Sequence, residues 1–252
     1  MAEKISISKL RLDKLLDWAR AGGAIEIAKL LFEERGCVQM QSDNTSTVGV
    51  IMVIKPSFFT KYHGIGDVVI DLNSSVKQTR SSFKDDKDID IWSDKNQIYF
   101  NGEREQISRV LLDQKVTEIR SKIKQTDYGA IPNEMAENNF CVAIIDAAEL
   151  KGISAPEKVE FVFGESGVTI KVRDEHGTYS KNLKVGTLVG YNSEEVPSGS
   201  ILTPSRMLSD VVGVLNGPVT FMLSENLPML ITTISKEYRV TYMLNTISSS
   251  GE

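Results

Sequence analysis

The clearest candidates for chemistry are the cations in residues 73–85, with the sequence NSSVKQTRSSFKD. At the helical spacing of about 100° per residue, one face of this segment carries Lys77, Arg80, Ser81 and Lys84. The opposite face carries Val76, Thr79 and Phe83, and no acidic residue lies within the basic stripe. In a chain with a formal net charge of −5, a concentrated basic face predicts binding of a polyanion. The alternative is an ordinary solvated helix surface.

Groups suited to catalysis are sparse in this sequence. The chain has two histidines, His63 and His176, and each stands beside a glycine in a predicted turn. No nucleophile-elbow, zinc-protease, paired-cysteine or phosphate-binding glycine motif occurs. The acids of residues 85–90 alternate with lysine, which favours a solubilising turn over a two-metal site. We expect a protein that is not an enzyme and needs no cofactor or metal. A small-molecule enzyme on a duplicated scaffold is the rival from another class, and it would need a deep polar pocket.

Composition sets the general class of the protein. With 252 residues, 41% of them hydrophobic and 25% charged, the chain can form one large or two ordinary globular domains. No apolar run approaches the roughly 20 residues of a membrane helix, and the first ten residues lack a signal-peptide core. Cys37 and Cys141 lie in apolar, strand-like surroundings, which predicts buried reduced thiols in an intracellular protein.

The elements of the first half follow from hydrophobic spacing. Residues 10–21 have apolar positions at helical intervals, and Gly22 and Gly23 are expected to end this helix. Short strand-like runs follow, then the basic helix, then more strands up to a last strand over residues 103–113. Short strands at close spacing with few helices predict an α+β fold with antiparallel sheet. The polar stretch 116–138 is predicted to be a connector.

The second half repeats this pattern. Residues 140–145 predict a strand, residues 146–149 a short capped helix, and residues 203–216 a second helix with Pro204 in its first turn. Gly36 and Gly167 in two hairpin turns, and Ser93 and Ser224 after two strands, have the same separation in sequence. This spacing indicates an internal duplication. We predict domains at 1–115 and 139–252, each with two helices on an antiparallel sheet.

Four segments carry a resemblance to a known family: GCVQMQSDNTSTVGVIMVI, VIDLNSSVKQTRSS, AIPNEM and VTFMLSENLPMLITTISKEYRVTYML. Over essentially the whole chain, their order and spacing resemble proliferating cell nuclear antigen (PCNA) and its archaeal relatives, the DNA sliding clamps. The resemblance implies a closed ring of three subunits, with helices around a central hole and sheets outside. It implies a processivity factor that encircles double-stranded DNA without reading its sequence. The implied location is nuclear in a eukaryote and cytoplasmic or nucleoid-associated otherwise.

The resemblance also implies which cations contact DNA. The matching positions are Lys14, Arg20, Lys77, Arg80 and Lys84 in the first half, with Lys151 and Arg206 in the second. The second half departs from a basic surface, because Glu149 can offset Lys151 and Asp210 stands four residues after Arg206. Alignment of the apolar helix faces sets Ser209, Val212 and Asn216 against Lys77, Arg80 and Lys84. We therefore expect the first domain to provide most of the DNA contact.

Two protein-binding surfaces are implied as well. Polymerase, ligase, flap nuclease and clamp loader would dock through short motifs at Thr47, Val48, Val50, Ile131, Pro132, Leu227, Pro228, Asn245 and Thr246. Neighbouring subunits would pair through edge strands, at Ile107, Val110 and Leu112 on one edge and Tyr179 and Leu183 on the other.

Two departures from the family pattern bear on partner choice. Asn245-Thr246 replaces the usual Ala-Pro, and the connector carries the extra cations Arg120, Lys122 and Lys124. They keep open a second hypothesis, a specialised paralogue that forms one subunit of a heterotrimeric or checkpoint-type ring.

Overall fold

The structure is a computed structural model that describes residues 4–43, 45, 47–113, 135, 137–153, 157–174, 177–225 and 227–248. The chain divides into two compact units. The first comprises residues 1–45, 49–124 and 234–240, and the second comprises residues 46–48, 125–233 and 241–252. Most of the predicted connector, including Arg120, Lys122, Lys124, Ile131 and Pro132, lies outside the described residues, as does His176. The predicted domain boundaries stay a prediction.

Eight strands build most of the first unit. They are β1 (Ile5–Ser8), β2 (Ile27–Glu33), β3 (Gly36–Ser42), β4 (Val48–Ile54), β5 (Gly66–Asp71), β6 (Asp88–Ser93), β7 (Gln97–Asn101) and β8 (Gln106–Val110). They form two antiparallel sheets with the orders β1-β6-β7-β8 and β4-β3-β2-β5. The edge strand β8 is shorter than the predicted range 103–113.

Alternation of side chains sets the core of this unit. In β7, Ile98 and Phe100 are buried while their neighbours are partly exposed, because successive residues of a strand point to opposite faces. The β2–β3 hairpin requires glycine at its turn. Gly36 has φ 127°, and a Cβ atom there would lie 1.9 Å from the backbone oxygen of Ile54.

Two α-helices of the first unit pack against each other. Helix α1 (Lys9–Arg20) begins after Ser8, whose hydroxyl accepts the backbone N–H of Arg11, and it ends at Ala21 in the left-handed conformation. A 3₁₀ turn, Ala21–Gly23, follows, so the last helical residue is Arg20, one residue earlier than predicted.

Helix α2 (Leu72–Ser82) begins after Asp71, whose carboxylate accepts the backbone N–H of Ser74. The predicted helix over 73–85 was therefore too long at its C-terminal end. The backbone leaves helical geometry at the fully buried Phe83, with φ −108° and ψ 32°, and Lys84 lies beyond the helix. Burial of the Phe83 ring at this point ends the helix and turns the chain towards β6.

The second unit is again built of antiparallel sheets. Its strands are β9 (Phe140–Asp146), β10 (Lys158–Gly164), β11 (Gly167–Asp174), β12 (Gly177–Asn182), β13 (Val185–Tyr191), β14 (Gly199–Pro204), β15 (Pro218–Leu223), β16 (Met229–Ile234), β17 (Tyr238–Leu244) and β18 (Ile247–Ser248). One sheet has the order β12-β11-β10-β14-β18, and β13-β9-β15-β16 form another. Residues 238–240 of β17 group with the first unit and residues 241–244 with the second.

The predicted duplication is visible in the hairpins, but the second unit has less helix than predicted. Gly36 and Gly167 open β3 and β11 in equivalent two-residue turns. Residues 146–149 form only a 3₁₀ turn, Ala147–Glu149, capped by Asp146. The one α-helix in the described part of this unit is α3 (Ser205–Gly213). It starts later than predicted because Thr203 and Pro204 pair within β14.

Both cysteines are buried, as predicted. Cys37 in β3 and Cys141 in β9 are free and fully buried, and burial raises the pKa of Cys141 to about 11. No helix in the described residues is long and apolar enough to cross a membrane. Within that same part of the chain, no cluster of His, Cys, Asp and Glu could hold a metal ion.

Candidate nucleic-acid interface

Three lysines of the first unit, Lys14, Lys77 and Lys84, are exposed on and beside the paired helices α1 and α2. None of them forms an ion pair with another residue that the structure describes. An exposed lysine ammonium without an acidic partner is available to contact a phosphate. These lysines are called the lysine surface below.

Arg80 differs from these lysines because it is already paired. Its Nη2 donates to Oδ2 of Asp17 at 2.6 Å, and its Nε lies 4.0 Å from Oδ1 of Asp13. Both acids belong to α1, so the basic stripe of α2 is compensated by its neighbouring helix. The stripe contains no acid of its own, but Arg80 is compensated by acids of the neighbouring helix. The sequence of α2 could not reveal this, because the two carboxylates are more than sixty residues away in the chain.

The acids beside Arg80 sit in a partly buried network. Asp13 also pairs with Lys9, one turn earlier on α1, and its Oδ1 is buried without a hydrogen bond. Burial raises the pKa of Asp17, and the opposing charges of Arg80 and Arg20 only partly offset this rise. Arg20 is itself partly buried, with its Nε lacking a hydrogen-bond partner. It therefore presents less of its charge to solvent than the three lysines do.

The second unit has fewer predicted cations than the first, and each lies near a polar or acidic side chain. The Nζ of Lys151 donates to Oδ1 of Asn216 at 3.0 Å. Glu149 does not offset Lys151 as predicted; it pairs with Lys181 at 3.1 Å. Arg206 has a side chain that is 93% exposed, and its Nε lies 4.0 Å from Asp210, the predicted partner four residues on.

The predicted alignment of α2 with α3 agrees with side-chain exposure at two of the three compared positions. Ser209 and Asn216 are exposed, as Lys77 and Lys84 are in the first unit. Val212 is buried, whereas Arg80 is exposed, so Val212 belongs to the packed face of α3 and not to its polar face. The described part of the second unit therefore presents no counterpart of the lysine surface.

Four of the predicted partner-docking residues are linked by hydrogen bonds in the second unit. The backbone N–H of Asn245 donates to the carbonyl oxygen of Thr47 at 3.0 Å. The hydroxyl of Thr246 donates to the carbonyl oxygen of Leu227 at 3.0 Å. Leu227 packs against a buried apolar cluster together with Val142, Tyr191 and Met243. The cluster itself consists of Met135, Phe140, Met222 and Leu230.

Of the other five predicted docking residues, two are buried, one is partly exposed and two lie outside the described residues. Val48 and Val50 are fully buried in β4, so neither side chain offers surface to a partner. Pro228 is partly exposed, and the connector positions lie outside the described residues.

Within the described residues, β8 and β12, which carry most of the predicted subunit contacts, each lie at one edge of their sheet. Val110 is 68% exposed and Tyr179 is 58% exposed, while Ile107 and Leu112 are partly buried. Leu183 is 7% exposed and donates its backbone N–H to Val168, so its side chain belongs to the core of its own unit. Beside Tyr179 lies an open cavity of about 290 Å³ that Ile153, Lys151 and Lys181 help to line. The lining of this cavity comes from segments distant in the chain, so the cavity could not be predicted from the sequence.

Solved structures with a similar fold include three PCNA proteins. PCNA of A. fulgidus, solved with the C-terminal region of FEN-1 bound, matches with a TM-score of 0.76 and 14% identity, over 97% of this chain and 98% of that one. PCNA of Entamoeba histolytica matches with a TM-score of 0.77 and 11% identity, over 98% and 99%. PCNA of Thermococcus kodakaraensis gives 0.75 and 14%, over 96% and 99%.

No protein-family model and no curated protein matches the chain. The solved structures thus show the likeness at the level of the fold, and they show it over nearly the full length of both chains. They confirm the α+β architecture and the family resemblance that the sequence predicted. The chain has the fold of the PCNA sliding clamps.

Proposed function

We propose that this protein is a DNA sliding clamp, a non-enzymatic subunit of a ring that encircles duplex DNA and tethers replication and repair enzymes. The observation that carries the proposal is the lysine surface, Lys14, Lys77 and Lys84, on the paired helices of a chain with the PCNA fold. Lysines without acidic partners suit phosphates, which carry no sequence information. A protein that slides must bind in this way, since base-specific contacts would hold it at fixed positions.

A topological test distinguishes encirclement from ordinary binding. Purified protein at high concentration is allowed to thread onto a linear duplex fixed to beads at one end, and the free end is then left open or closed with streptavidin on biotin. A ring is retained through a high-salt wash only on the closed duplex. Equal retention on open and closed duplexes would overturn the proposal.

Ring closure is proposed to pair β8 of one copy with β12 of the next. Every strand pair given above is antiparallel, so the same orientation is expected at the junction. Directly paired residues of neighbouring strands share a face of the sheet. Ile107 is paired with buried Phe100, and Tyr179 with buried Val172. Ile107 and Tyr179 therefore share the core-facing side, whereas Val110 points to the opposite face of its sheet.

Charge selects the register among those that satisfy this rule. Placing Ile107 opposite Tyr179 also places Glu105 opposite Lys181, whose ammonium group pairs with Glu149 in its own chain and would gain a second carboxylate. A shift of two residues would instead set Ile107 against Lys181. The chosen register brings Ile107 to the cavity of about 290 Å³ beside Tyr179, where its side chain can be buried.

The assembly is tested by light scattering after size exclusion. The wild type is expected at about three times the chain mass of 27.9 kDa. Ile107→Glu and Tyr179→Glu are expected to give monomers, because each buries a charge in the junction. Val110→Glu is the control on the same strand but the other face, and it should remain trimeric. A wild type that stays monomeric would instead support the heterotrimeric paralogue.

Partner docking is proposed at the second-unit surface formed by Leu227, Tyr191 and Met243. The support is the apolar cluster beneath these side chains and the two hydrogen bonds that fix Thr47 and Thr246 beside them. The A. fulgidus PCNA structure contains a flap-nuclease segment, FEN-1. A labelled FEN-1 C-terminal peptide is expected to bind the wild type and to lose at least tenfold in affinity with Leu227→Asp. Val110→Asp is the control at an exposed apolar residue of the first unit; an equal loss in both variants would contradict this site.

A further inference from the structure

The contact between α2 and α1 gives Arg80 a state that the neighbouring lysines do not share. Its guanidinium donates to Oδ2 of Asp17 at 2.6 Å and lies 4.0 Å from Asp13. About half of the Arg80 side chain is exposed, so it remains within reach of an incoming ligand. A phosphate and Asp17 would then compete for the same planar donor group.

The acids that hold Arg80 are themselves held in place. Leu12, Leu15, Leu16 and Ala19 bury the inner face of α1, which fixes the direction in which its polar face points. Asp13 is further paired with Lys9, and the side chains of Asp13 and Asp17 are only about a quarter exposed. The contact is thus built between two packed helices. Releasing Arg80 requires breaking it, whereas Lys14, Lys77 and Lys84 require no such step.

We propose that Asp17, supported by Asp13, is a positioning residue that holds Arg80 against α1 and withholds it from DNA phosphate. The inference rests on the proposed function and deepens it. The first unit then contacts duplex DNA mainly through the lysine surface, and Arg80 adds little until its acidic partner is removed. The acids act as a fixed competitor that lowers affinity for DNA, and weak non-specific contact favours sliding over stalling.

A double-mutant cycle on Asp17 and Arg80 tests the proposal. Binding of a fluorescent 30-base-pair duplex is measured as a function of salt for the full chain. Asp17→Asn is expected to bind about two- to fivefold more tightly at low salt, the size of an exposed ion pair. The plot of log affinity against log salt should steepen by up to about 0.9 unit, since one more phosphate contact forms. Asp17→Glu, which keeps the competing charge, should resemble the wild type.

The second half of the cycle concerns Arg80 directly. In the wild type, Arg80→Ala should weaken binding less than Lys77→Ala does. In the Asp17→Asn background, Arg80→Ala should remove the gain in both affinity and salt slope. Equal costs of Arg80→Ala in the two backgrounds would overturn the proposal, because Asp17 would then have no influence on how Arg80 meets DNA.

A matched control removes the effect of net charge. Asp67→Asn loses one negative charge at an acid that pairs with Lys29, 3.3 Å away in the sheet of the same unit. A gain in Asp67→Asn equal to that in Asp17→Asn would overturn the proposal. If the wild type shows no binding to duplex DNA, the proposed clamp function fails. Elution of the same variants from heparin then decides the restraint of Arg80 alone: later elution of Asp17→Asn than of Asp67→Asn supports it, and equal elution overturns it.

Discussion

The two units carry helices of different length and different charge. The first unit has α1 of 12 residues and α2 of 11 residues, and the exposed Lys14, Lys77 and Lys84 on and beside them form no ion pair among the described residues. The second unit has the nine-residue α3 and a three-residue 3₁₀ turn, and its cations Lys151 and Arg206 both lie beside a polar or acidic partner. A duplicated architecture has thus been kept while the surface chemistry of its helices has diverged. The buried faces of the helices specify packing and the exposed faces specify binding, so the exposed residues can differ while the fold stays the same.

The largest expected effect comes from removing the lysine surface. Lys14→Ala, Lys77→Ala and Lys84→Ala together should reduce the salt slope of duplex binding by about 2 to 3 units, because each lost phosphate contact removes about 0.9 unit. Lys151→Ala with Arg206→Ala should reduce it by about 1 unit or less. Fluorescence anisotropy over a salt series measures both. Equal losses in the two variants would break the contrast between the units.

A gain of charge in the second unit gives a smaller effect in the opposite direction. Ser209 is exposed on α3 at the position that matches Lys77. Ser209→Lys should steepen the salt slope by about 1 unit and raise affinity several-fold at low salt. Ser209→Ala is the control, since it changes helix propensity without adding charge. An unchanged slope in Ser209→Lys would show that this face of α3 does not meet DNA.

The contribution of α3 to stability can be tested at its last residue, Gly213. A Cβ atom on Gly213 would meet no other atom within 4 Å, and Gly213 lies in the helix. Gly213→Ala should stabilise the chain by about 0.5 kcal/mol, because alanine loses less backbone entropy. Chemical denaturation gives the change in the free energy of unfolding. The same substitution at Gly36, with φ 127° and a backbone oxygen in the way, should destabilise; stabilisation at both sites would refute the reasoning.

The smallest effect is a pH dependence of stability from Asp17 on α1. Burial holds the folded-state pKa of Asp17 above its unfolded value of about 3.8. The folded state therefore binds the proton more tightly, and the wild type loses stability as pH rises from about 3.8 through the folded-state pKa. Asp17→Asn removes this loss. Its Tm relative to the wild type should rise across that interval, by about 1–2 °C, in thermal scans at successive pH values.

Asp90 on β6 provides the opposite sign for comparison. Burial acts to raise its pKa, but hydrogen bonds from Lys4 and Ser6 and the charge of Lys4 outweigh burial and lower it. Stability from Asp90 is therefore present above its unfolded pKa and is lost as pH falls towards the lowered value. Asp90→Asn should therefore cost stability at neutral pH and progressively less in acid. The same trend in Asp17→Asn and Asp90→Asn would contradict these assignments.

Local chemistry predicted much of the fold. The apolar spacing of residues 10–21 and 73–85, the capping Asp146, and the glycines at positions 36 and 167 each act within a few residues. They predicted the helices and hairpins of α1, α2, β2–β3 and β10–β11. The ends were less predictable, because packing of Phe83 and strand pairing of Thr203 and Pro204 decided where α2 ended and α3 began.

The candidate site was predicted only in part. The exposed lysines could be identified from their helical spacing, since the apolar residues of each helix determine which face turns outwards. The buried state of Val48, Val50 and Leu183 could not, because a strand shows its alternation but not which of its faces are covered. The cavity beside Tyr179 likewise joins residues 149–153 to β12, which are not neighbours in sequence.

The sequence by itself determined which side chains are charged, how they are spaced and which short elements they occupy, since these depend on local backbone geometry. Only the tertiary structure decided which charges meet. Asp17 and Arg80 are separated by 63 positions in the chain, yet packing of α1 against α2 places them 2.6 Å apart. Lys181 likewise takes Glu149 as its partner and leaves Lys151 to Asn216. Coulomb interactions depend on distance in space, so the packing of the folded chain decides which charges of a helix stay unpaired.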